Sequence, residues 1–167
     1  MLEVELIKKT MKRYIKTFMP DFRISSGLDA SFDLLDFCND DFVCPLKRGD
    51  TGVYIISATD GTQYIYPNGL KSPIIYIGKS DDLLRRLKDE HFTKGLKRLL
   101  DNRDFGIAEG KQLASRYQYM FYNGSHVDVF KRRGKQDSKQ FESMVINQFY
   151  QKYRSLPVGN AARSYVN

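Results

Sequence analysis

Two short runs of β-branched and aromatic residues, at positions 53–57 and 74–77, constrain the fold more than any other feature. Residues of these types favour strands. Between the runs, the dipeptides Asp60-Gly61 and Asn68-Gly69 are typical of tight turns, and residues 63–66 (Gln-Tyr-Ile-Tyr) indicate a short extra strand. The sequence therefore predicts an antiparallel hairpin with an elaborated tip.

The patterns on either side of this hairpin predict an α+β fold. Apolar residues recur at helical spacing in several segments, and two further strands surround the dipeptide Asn123-Gly124. The predicted helices cover residues 2–18, 30–37, a segment with its N-cap at Asp81, 93–102 and 137–153. The two further strands cover residues 117–122 and 126–132.

A linker is indicated by Pro45 and Gly49-Asp50. It predicts an N-terminal helical extension over residues 1–49 and a second domain over residues 50–167. The charge divides at almost the same place, because residues 1–50 carry 8 Lys and Arg against 9 Asp and Glu, whereas the remainder carries 19 against 11. A basic second domain beside a neutral extension favours a polyanionic partner such as nucleic acid.

Several classes of protein are excluded by composition. No apolar run approaches the roughly 18 residues that a membrane helix needs, and the charged first 16 residues do not suit a secretory signal. Cys38 and Cys44 have no histidine near them in sequence, which argues against a zinc site. Two reduced thiols in a cytoplasmic protein are the favoured interpretation, and a disulfide between them stays open.

The tripeptide Gly78-Lys79-Ser80 copies the end of a nucleotide-binding phosphate loop. Such a loop needs a glycine five positions before Gly78, where this chain has Pro73. The proline would also remove one backbone amide from the cradle that holds the phosphates. The sequence therefore argues against a nucleotide cofactor of this type.

Gly78 also belongs to a second set of motifs, which follow one another in a fixed order along the chain. The signatures Gly-Val-Tyr (residues 52–54) and Tyr-Ile-Gly (residues 76–78) come first, and Arg86 follows eight residues after the second signature. His91, Glu142 and Asn160 complete the order. This arrangement resembles the GIY-YIG nuclease family over roughly residues 51–162.

The resemblance implies a sheet of three antiparallel core strands flanked by helices. It also implies a small restriction-like or phage-type endonuclease that hydrolyses phosphodiester bonds of DNA with Mg²⁺ or Mn²⁺ as cofactor. Double-stranded DNA is the favoured substrate. One such active site cuts one strand, so a double-strand break would need a homodimer or two visits. The amphipathic helix over residues 2–18 offers either a dimer surface or a cap for the domain.

The residue types suit hydrolysis of a phosphodiester. By resemblance Tyr54 is the general base, although an ordinary tyrosine pKa near 10 requires a nearby cation or onward transfer of the proton. Arg86 can offer two parallel donors to a phosphate, and Glu142 would hold the metal ion together with phosphate oxygens and water. Tyr76 and His91 would orient water or phosphate. The alternatives are that the two tyrosines only pack and that Glu142 is a surface residue.

The predicted helix after the second signature carries two adjacent arginines and a histidine with unusual spacing. Arg85 and Arg86 point about 100° apart on a helix, so only one can face the sheet, and the spacing favours Arg86. His91 lies five residues after Arg86, where four is more usual in the family. That extra residue turns His91 about 100° around the helix relative to the family pattern, which leaves its part in the site open.

Basic residues near the predicted site are candidates for binding DNA through its phosphates. They are Lys79, Lys131, Arg132 and Arg133. For the last three, a solubilising loop is the alternative. Structural roles are expected for Gly52, Gly78 and Asn160, the last by tying the C-terminal tail to the sheet.

Three hypotheses about function follow. The leading one is a metal-dependent DNA endonuclease. The second is a basic nucleic-acid-binding module that kept the fold and lost the chemistry, and the third is a nuclease subunit that acts within a larger complex.

Overall fold

The protein has an α+β fold in a computed structural model that describes residues 28–100, 107–108, 111–112 and 116–161. The predicted helix over residues 2–18 lies outside these ranges. The strands are β1 (Ala30–Asp33), β2 (Gly52–Ser57), β3 (Tyr64–Ile65), β4 (Lys71–Ser72), β5 (Ile74–Ser80), β6 (Ile107–Ala108), β7 (Lys111–Gln112) and β8 (His126–Lys131).

The helices surround a central sheet. They are α1 (π-helical over Arg85–Lys94 and α-helical over Gly95–Leu100), α2 (Arg116–Tyr122), α3 (Lys135–Tyr153) and α4 (Val158–Ala161), with a 3₁₀ turn at Leu34–Cys38. Within the described ranges, no helix is both long enough and apolar enough to span a membrane.

Among the described residues, the central sheet has four strands in the order β1-β8-β2-β5, and all neighbours are antiparallel. The predicted hairpin is confirmed, because β2 pairs with β5 and places Tyr54 opposite Gly78. Its elaborated tip is confirmed as well, since Tyr64–Ile65 pairs with Lys71–Ser72. The glycines of the two tip turns, Gly61 and Gly69, have the positive φ angles that these turns favour, 88° and 81°.

The helix predicted over residues 30–37 is wrong. Ala30–Asp33 forms strand β1, which pairs with β8, and only Leu34–Cys38 is helical, as a 3₁₀ turn. Ala30 and Phe32 are buried while Ser31 and Asp33 alternate with them, which is the two-residue period of a strand. The sheet therefore has four strands instead of three and includes residues before the predicted boundary at 49.

The strand predicted over residues 117–122 is also wrong, because Arg116–Tyr122 is helix α2. The aromatic residues of this run favour strands, but packing against α1 decides its conformation. A Cβ on Gly95 of α1 would lie only 2.5 Å from Cδ1 of Tyr117, so the two helices are in close contact. The turn at Asn123-Gly124 consequently joins a helix to a strand instead of two strands.

Strand alternation separates two apolar cores. Tyr54 and Ile56 project toward α1 and α2, whereas Val53 and Ile55 project toward α3. The first core also contains Leu83, Leu87, Met120, Val127 and Val129. The second contains Phe130, Phe141, Val145, Phe149 and Tyr153. Each face of the sheet is therefore covered by helices, and the two faces carry different side chains from the same strands.

Asn160 ties the C-terminal segment to the outer edge of β5, which is the structural part expected for it. Its side-chain Oδ1 accepts a hydrogen bond from the backbone N–H of Ile77 at 2.9 Å, and its Nδ2 donates to the Ile77 carbonyl at 2.8 Å. One amide side chain thus satisfies a donor and an acceptor of an edge strand, as a neighbouring strand would.

A polar cluster joins β1 to β8 on the α3 side of the sheet. Nδ1 of His126 lies 3.0 Å from Oδ1 of Asp33, and its Nε2 lies 2.6 Å from Oγ of Ser31. Ser31 in turn donates to Oδ1 of the fully buried Asp128 at 2.9 Å. Burial alone would lower the pKa of His126, but hydrogen bonds to Asp128 and Asp33 outweigh it and raise that pKa to about 9. His126 is therefore an imidazolium at neutral pH.

The stability of the fold should depend on this proton. The unfolded chain binds it only below about pH 6.5, whereas the folded chain holds it up to about pH 9. The contribution is therefore complete below pH 6.5 and is lost as the pH rises through 9, by up to about 3 kcal/mol. Urea unfolding of the wild type and of His126→Gln at pH 6 and pH 9.5 measures it. An equal loss of stability in both proteins would contradict this account.

Candidate active site

A buried hydrogen bond between a tyrosine and a histidine lies at the centre of the site. Oη of Tyr54 on β2 lies 2.6 Å from Nε2 of His91 on α1. The two residues are 1% and 2% exposed, respectively. Such a short contact between buried polar groups fixes both rings relative to one another.

The protonation state of this pair follows from its surroundings. Burial raises the pKa of Tyr54 well above its usual value, and the neighbouring phenol of Tyr76 adds to the effect while Arg86 and Arg116 oppose it. Burial also lowers the pKa of His91 to about 3, and the positive charges of Arg116 and Arg86 act in the same direction. Tyr54 is therefore protonated and His91 is neutral, and in the tautomer that carries its proton on Nδ1, Nε2 accepts the hydrogen bond from Oη of Tyr54.

The π-helical winding of α1 directs His91 toward Tyr54. Buried residues recur on this helix every four positions, at Leu83, Leu87, His91, Gly95 and Leu99. In a regular α-helix, with about 100° per residue, a strict four-residue period drifts by about 40° at each step and leaves the buried face. A π-helix, with hydrogen bonds from residue i to i+5, turns less per residue and compensates for this drift.

The contacts of α1 show this winding directly. The backbone N–H of Gly95 donates to the carbonyl of Glu90, five residues back as in a π-helix, and also to that of Phe92. The hydroxyl of Thr93 donates to the carbonyl of Lys88 at 2.9 Å. His91 therefore faces Tyr54, although it lies five residues after Arg86 instead of the usual four. Asp82, and not Asp81, caps the start of the helix, since its Oδ1 accepts from the N–H of Arg85 at 3.1 Å.

The glycines of both signatures are required by close packing. A Cβ on Gly78 would lie 2.6 Å from Oη of Tyr54 and 2.6 Å from Cε1 of Tyr76. A Cβ on Gly52 would overlap the carbonyl oxygen of Phe130 on the neighbouring strand β8. The two tyrosine rings, with centroids 5.9 Å apart, occupy the space that a side chain at position 78 would need.

Two arginines, Arg86 and Arg116, act electrostatically on Tyr54, and a third, Arg85, precedes Arg86 on α1. Nη1 of Arg86 is 2.7 Å from Oε2 of Glu90, and Nη1 of Arg85 is 2.9 Å from Oε1 of the same carboxylate. Arg85 is the more exposed of these two, as expected for the residue that faces away from the sheet. The guanidinium of Arg116 lies over the Tyr76 ring at 4.7 Å. The sequence did not predict Arg116, because its aromatic neighbours were assigned to a strand.

Glu142 lies in the first half of α3 and is partly buried. Its negative charge is the weakest of the effects on the raised pKa of Tyr54, and α3 covers the face of the sheet opposite to the one from which Tyr54 projects. Among the residues that the structure describes, no group of three or more His, Cys, Asp or Glu side chains could hold a metal ion. One carboxylate fits a Mg²⁺ ion only if phosphate oxygens and water complete the coordination, which Mg²⁺ commonly accepts.

The predicted basic residues do not converge on the tyrosine pair. Lys79 pairs with Val53, and strand alternation directs its side chain to the α3 face, away from Tyr54. Lys79 is therefore not one of the cations next to the Tyr54 hydroxyl, and a contact of Lys79 with DNA would lie on the other face of the sheet.

The predicted basic loop begins within a strand, because Lys131 is the last residue of β8 and its Nζ lies 3.3 Å from Asp50. Arg132 bonds to Asp137 at 2.8 Å and lies over the Phe141 ring at 4.4 Å, so it stabilises the start of α3. Arg133 is exposed. The surface around this turn is consequently less basic than its sequence indicates.

Comparisons with known proteins give no relative for this arrangement. No protein-family model, no curated protein and no solved structure matches the chain. Any function assigned to this site therefore depends on its residues and their geometry.

Proposed function

We propose that this chain is a divalent-metal-dependent DNA endonuclease that hydrolyses phosphodiester bonds, with the site of a GIY-YIG nuclease. The observation that carries the proposal is the buried hydrogen bond between Oη of Tyr54 and Nε2 of His91, at 2.6 Å. Two arginines and one glutamate act electrostatically on the same tyrosine. This set provides a proton acceptor, donors for an anionic phosphate and a carboxylate for a metal ion.

Tyr54 can act as the general base only if it passes its own proton on, because its pKa is raised. The contact with His91 supplies that route. As water attacks phosphorus, it gives a proton to Oη of Tyr54, and the original Tyr54 proton moves to Nε2 of His91. An imidazolium results, which burial and then the charges of Arg116 and Arg86 disfavour, and the negative charge of a phosphate close to His91 would oppose these effects.

The charge that develops on the phosphate requires donors, and Arg86 on α1 is suited to supply them. Its pairing with Glu90 holds one guanidinium nitrogen in place. Glu142 would hold a Mg²⁺ or Mn²⁺ ion jointly with the substrate. Such an ion, when bound, neutralises phosphate charge and lowers the pKa of its bound water.

Plasmid cleavage by the purified full chain tests this proposal. We expect nicking in Mg²⁺ and none in EDTA. Glu142→Gln should lower the cleavage rate by roughly 100-fold, as loss of metal support commonly does. Asp40→Asn is a matched control, because Asp40 is an exposed carboxylate on a turn, and its rate should stay within about 3-fold of wild type, as for most surface substitutions.

Three outcomes would contradict the proposal. Tight DNA binding without cleavage in any divalent metal would favour the non-catalytic binding module. Cleavage that persists in EDTA would exclude the metal. A rate for Glu142→Gln equal to wild type would remove Glu142 from the site.

A further inference from the structure

We propose that Arg116 binds the scissile phosphate as a second guanidinium, with the Tyr76 ring as the platform that holds it in place. This inference rests on the proposed function, since it names a further residue of that same site. It also gives Tyr76 a role that differs from the direct orientation of water.

The contact between Arg116 and Tyr76 sets the orientation of the guanidinium. Cζ of Arg116 lies 4.7 Å from the centroid of the Tyr76 ring. Tyr76 is itself nearly buried on β5 and has a second aromatic contact with His91, at 5.4 Å between centroids. A planar cation stacked on a fixed ring keeps its edge donors free for an anion, and less conformational entropy is lost when the anion binds.

Arg116 stacks on a ring that contacts both reacting groups, because the centroid of Tyr76 lies 5.9 Å from that of Tyr54 and 5.4 Å from that of His91. Its positive charge lowers the pKa of His91 more than that of Arg86 does, and it also opposes the rise in the pKa of Tyr54. The stacking thus places this guanidinium on a ring that both ends of the tyrosine–histidine hydrogen bond contact. A phosphate next to the water that Tyr54 deprotonates would be within the field of the same cation.

Arg86 and Arg116 differ in what already occupies their donors. Arg86 has a carboxylate partner in Glu90 at 2.7 Å. Within the described part of the chain, Arg116 contacts the Tyr76 ring but no carboxylate, and it is partly exposed. Arg116 can therefore offer two parallel N–H donors to a phosphate without giving up an ion pair.

The test compares Arg116→Gln and Arg116→Lys with Arg98→Gln. Arg98, on helix α1, is a matched control because its guanidinium also lies over a tyrosine ring, that of Tyr117 on α2, at 5.6 Å. It does not contribute to the pKa shifts of Tyr54 or His91. The measurement is the single-turnover rate of cleavage of a labelled duplex in Mg²⁺, with thermal unfolding to verify the fold. We expect Arg116→Gln to cleave roughly 100-fold more slowly than wild type, which is the loss seen when one donor to a developing oxyanion is removed.

The remaining variants define the geometry. Arg116→Lys should recover less than about a tenth of the wild-type rate, because an ammonium lacks the planar fork. Arg98→Gln should stay within about 3-fold of wild type, because Arg98 does not affect the pKa of Tyr54 or His91. Full activity in Arg116→Lys, or a rate for Arg116→Gln within 3-fold of wild type, would overturn the proposal.

A measurement without cleavage separates this inference from the proposed function. A phosphorothioate duplex is added in EDTA, and the ring signals of His91 are followed by NMR. If the wild type does not cleave DNA but the duplex shifts these signals in the wild type and not in Arg116→Gln, the phosphate site is supported and the hydrolase fails. Equal shifts in both proteins, or none in either, would overturn the phosphate site.

Discussion

Replacing Tyr54 with phenylalanine should lower the single-turnover rate of DNA cleavage by roughly 1,000-fold, which is within the range for a general acid–base group. The change removes only the hydroxyl that lies 2.6 Å from His91. The ring keeps its packing against Tyr76 and His91. We therefore expect DNA affinity and the unfolding temperature to change little, which fluorescence anisotropy and calorimetry would verify.

Tyr66→Phe is the matched control for this substitution. Tyr66 is similarly buried, but it belongs to the core on the α3 side of the sheet, where its hydroxyl accepts a hydrogen bond from Val158. Its loss should cost about 1 kcal/mol of stability and leave the cleavage rate within a few-fold. If Tyr54→Phe and Tyr66→Phe cleaved DNA equally fast, the hydroxyl of Tyr54 would have no part in the chemistry.

Gly78→Ala should both destabilise the fold and slow cleavage. The added Cβ would lie 2.6 Å from Oη of Tyr54 and from Cε1 of Tyr76, and both rings are confined by the core. Overpacking of this kind costs roughly 1–3 kcal/mol. Displacement of the Tyr54 hydroxyl from His91 by about 1 Å should reduce the rate by roughly 100-fold. Urea unfolding and single-turnover cleavage measure the two effects.

Gly134→Ala provides the comparison, because a Cβ at that position meets no atom within 4 Å and the backbone there is extended. Its stability and its rate should remain close to those of the wild type. Equal stability of Gly78→Ala and Gly134→Ala would mean that position 78 is not crowded, and the packing described for the two tyrosines would then be incorrect.

The parts of the fold that were predicted from sequence are those with local signals. Strands β2 and β5, their elaborated tip and helix α3 have propensity, turn residues and periodicity that agree with one another. The failures lie where packing overrides propensity. The aromatic run after Arg116 forms a helix because it packs on Gly95, and Ala30–Asp33 forms a strand because it pairs with β8.

The candidate site shows the same division. Tyr54, Tyr76 and the arginine after them could be found from the motif order. His91 could not be oriented, because the π-helical winding follows from a four-residue period of buried positions that becomes visible only once burial is known. For Lys79, in contrast, the sequence alone could have excluded a position next to Tyr54. On one strand, residue 79 lies on the opposite face from residues 76 and 78.

The most direct test of the central claim is a double-mutant cycle on the tyrosine–histidine pair. Single-turnover cleavage rates are measured in Mg²⁺ for the wild type, Tyr54→Phe, His91→Gln and the double variant, with unfolding temperatures as the control for fold. If the two residues move one proton as a unit, each single change should cost at least about 100-fold, and the double variant should be no slower than the slower single variant. Losses that multiply in the double variant, or a wild type that leaves DNA intact, would contradict the account.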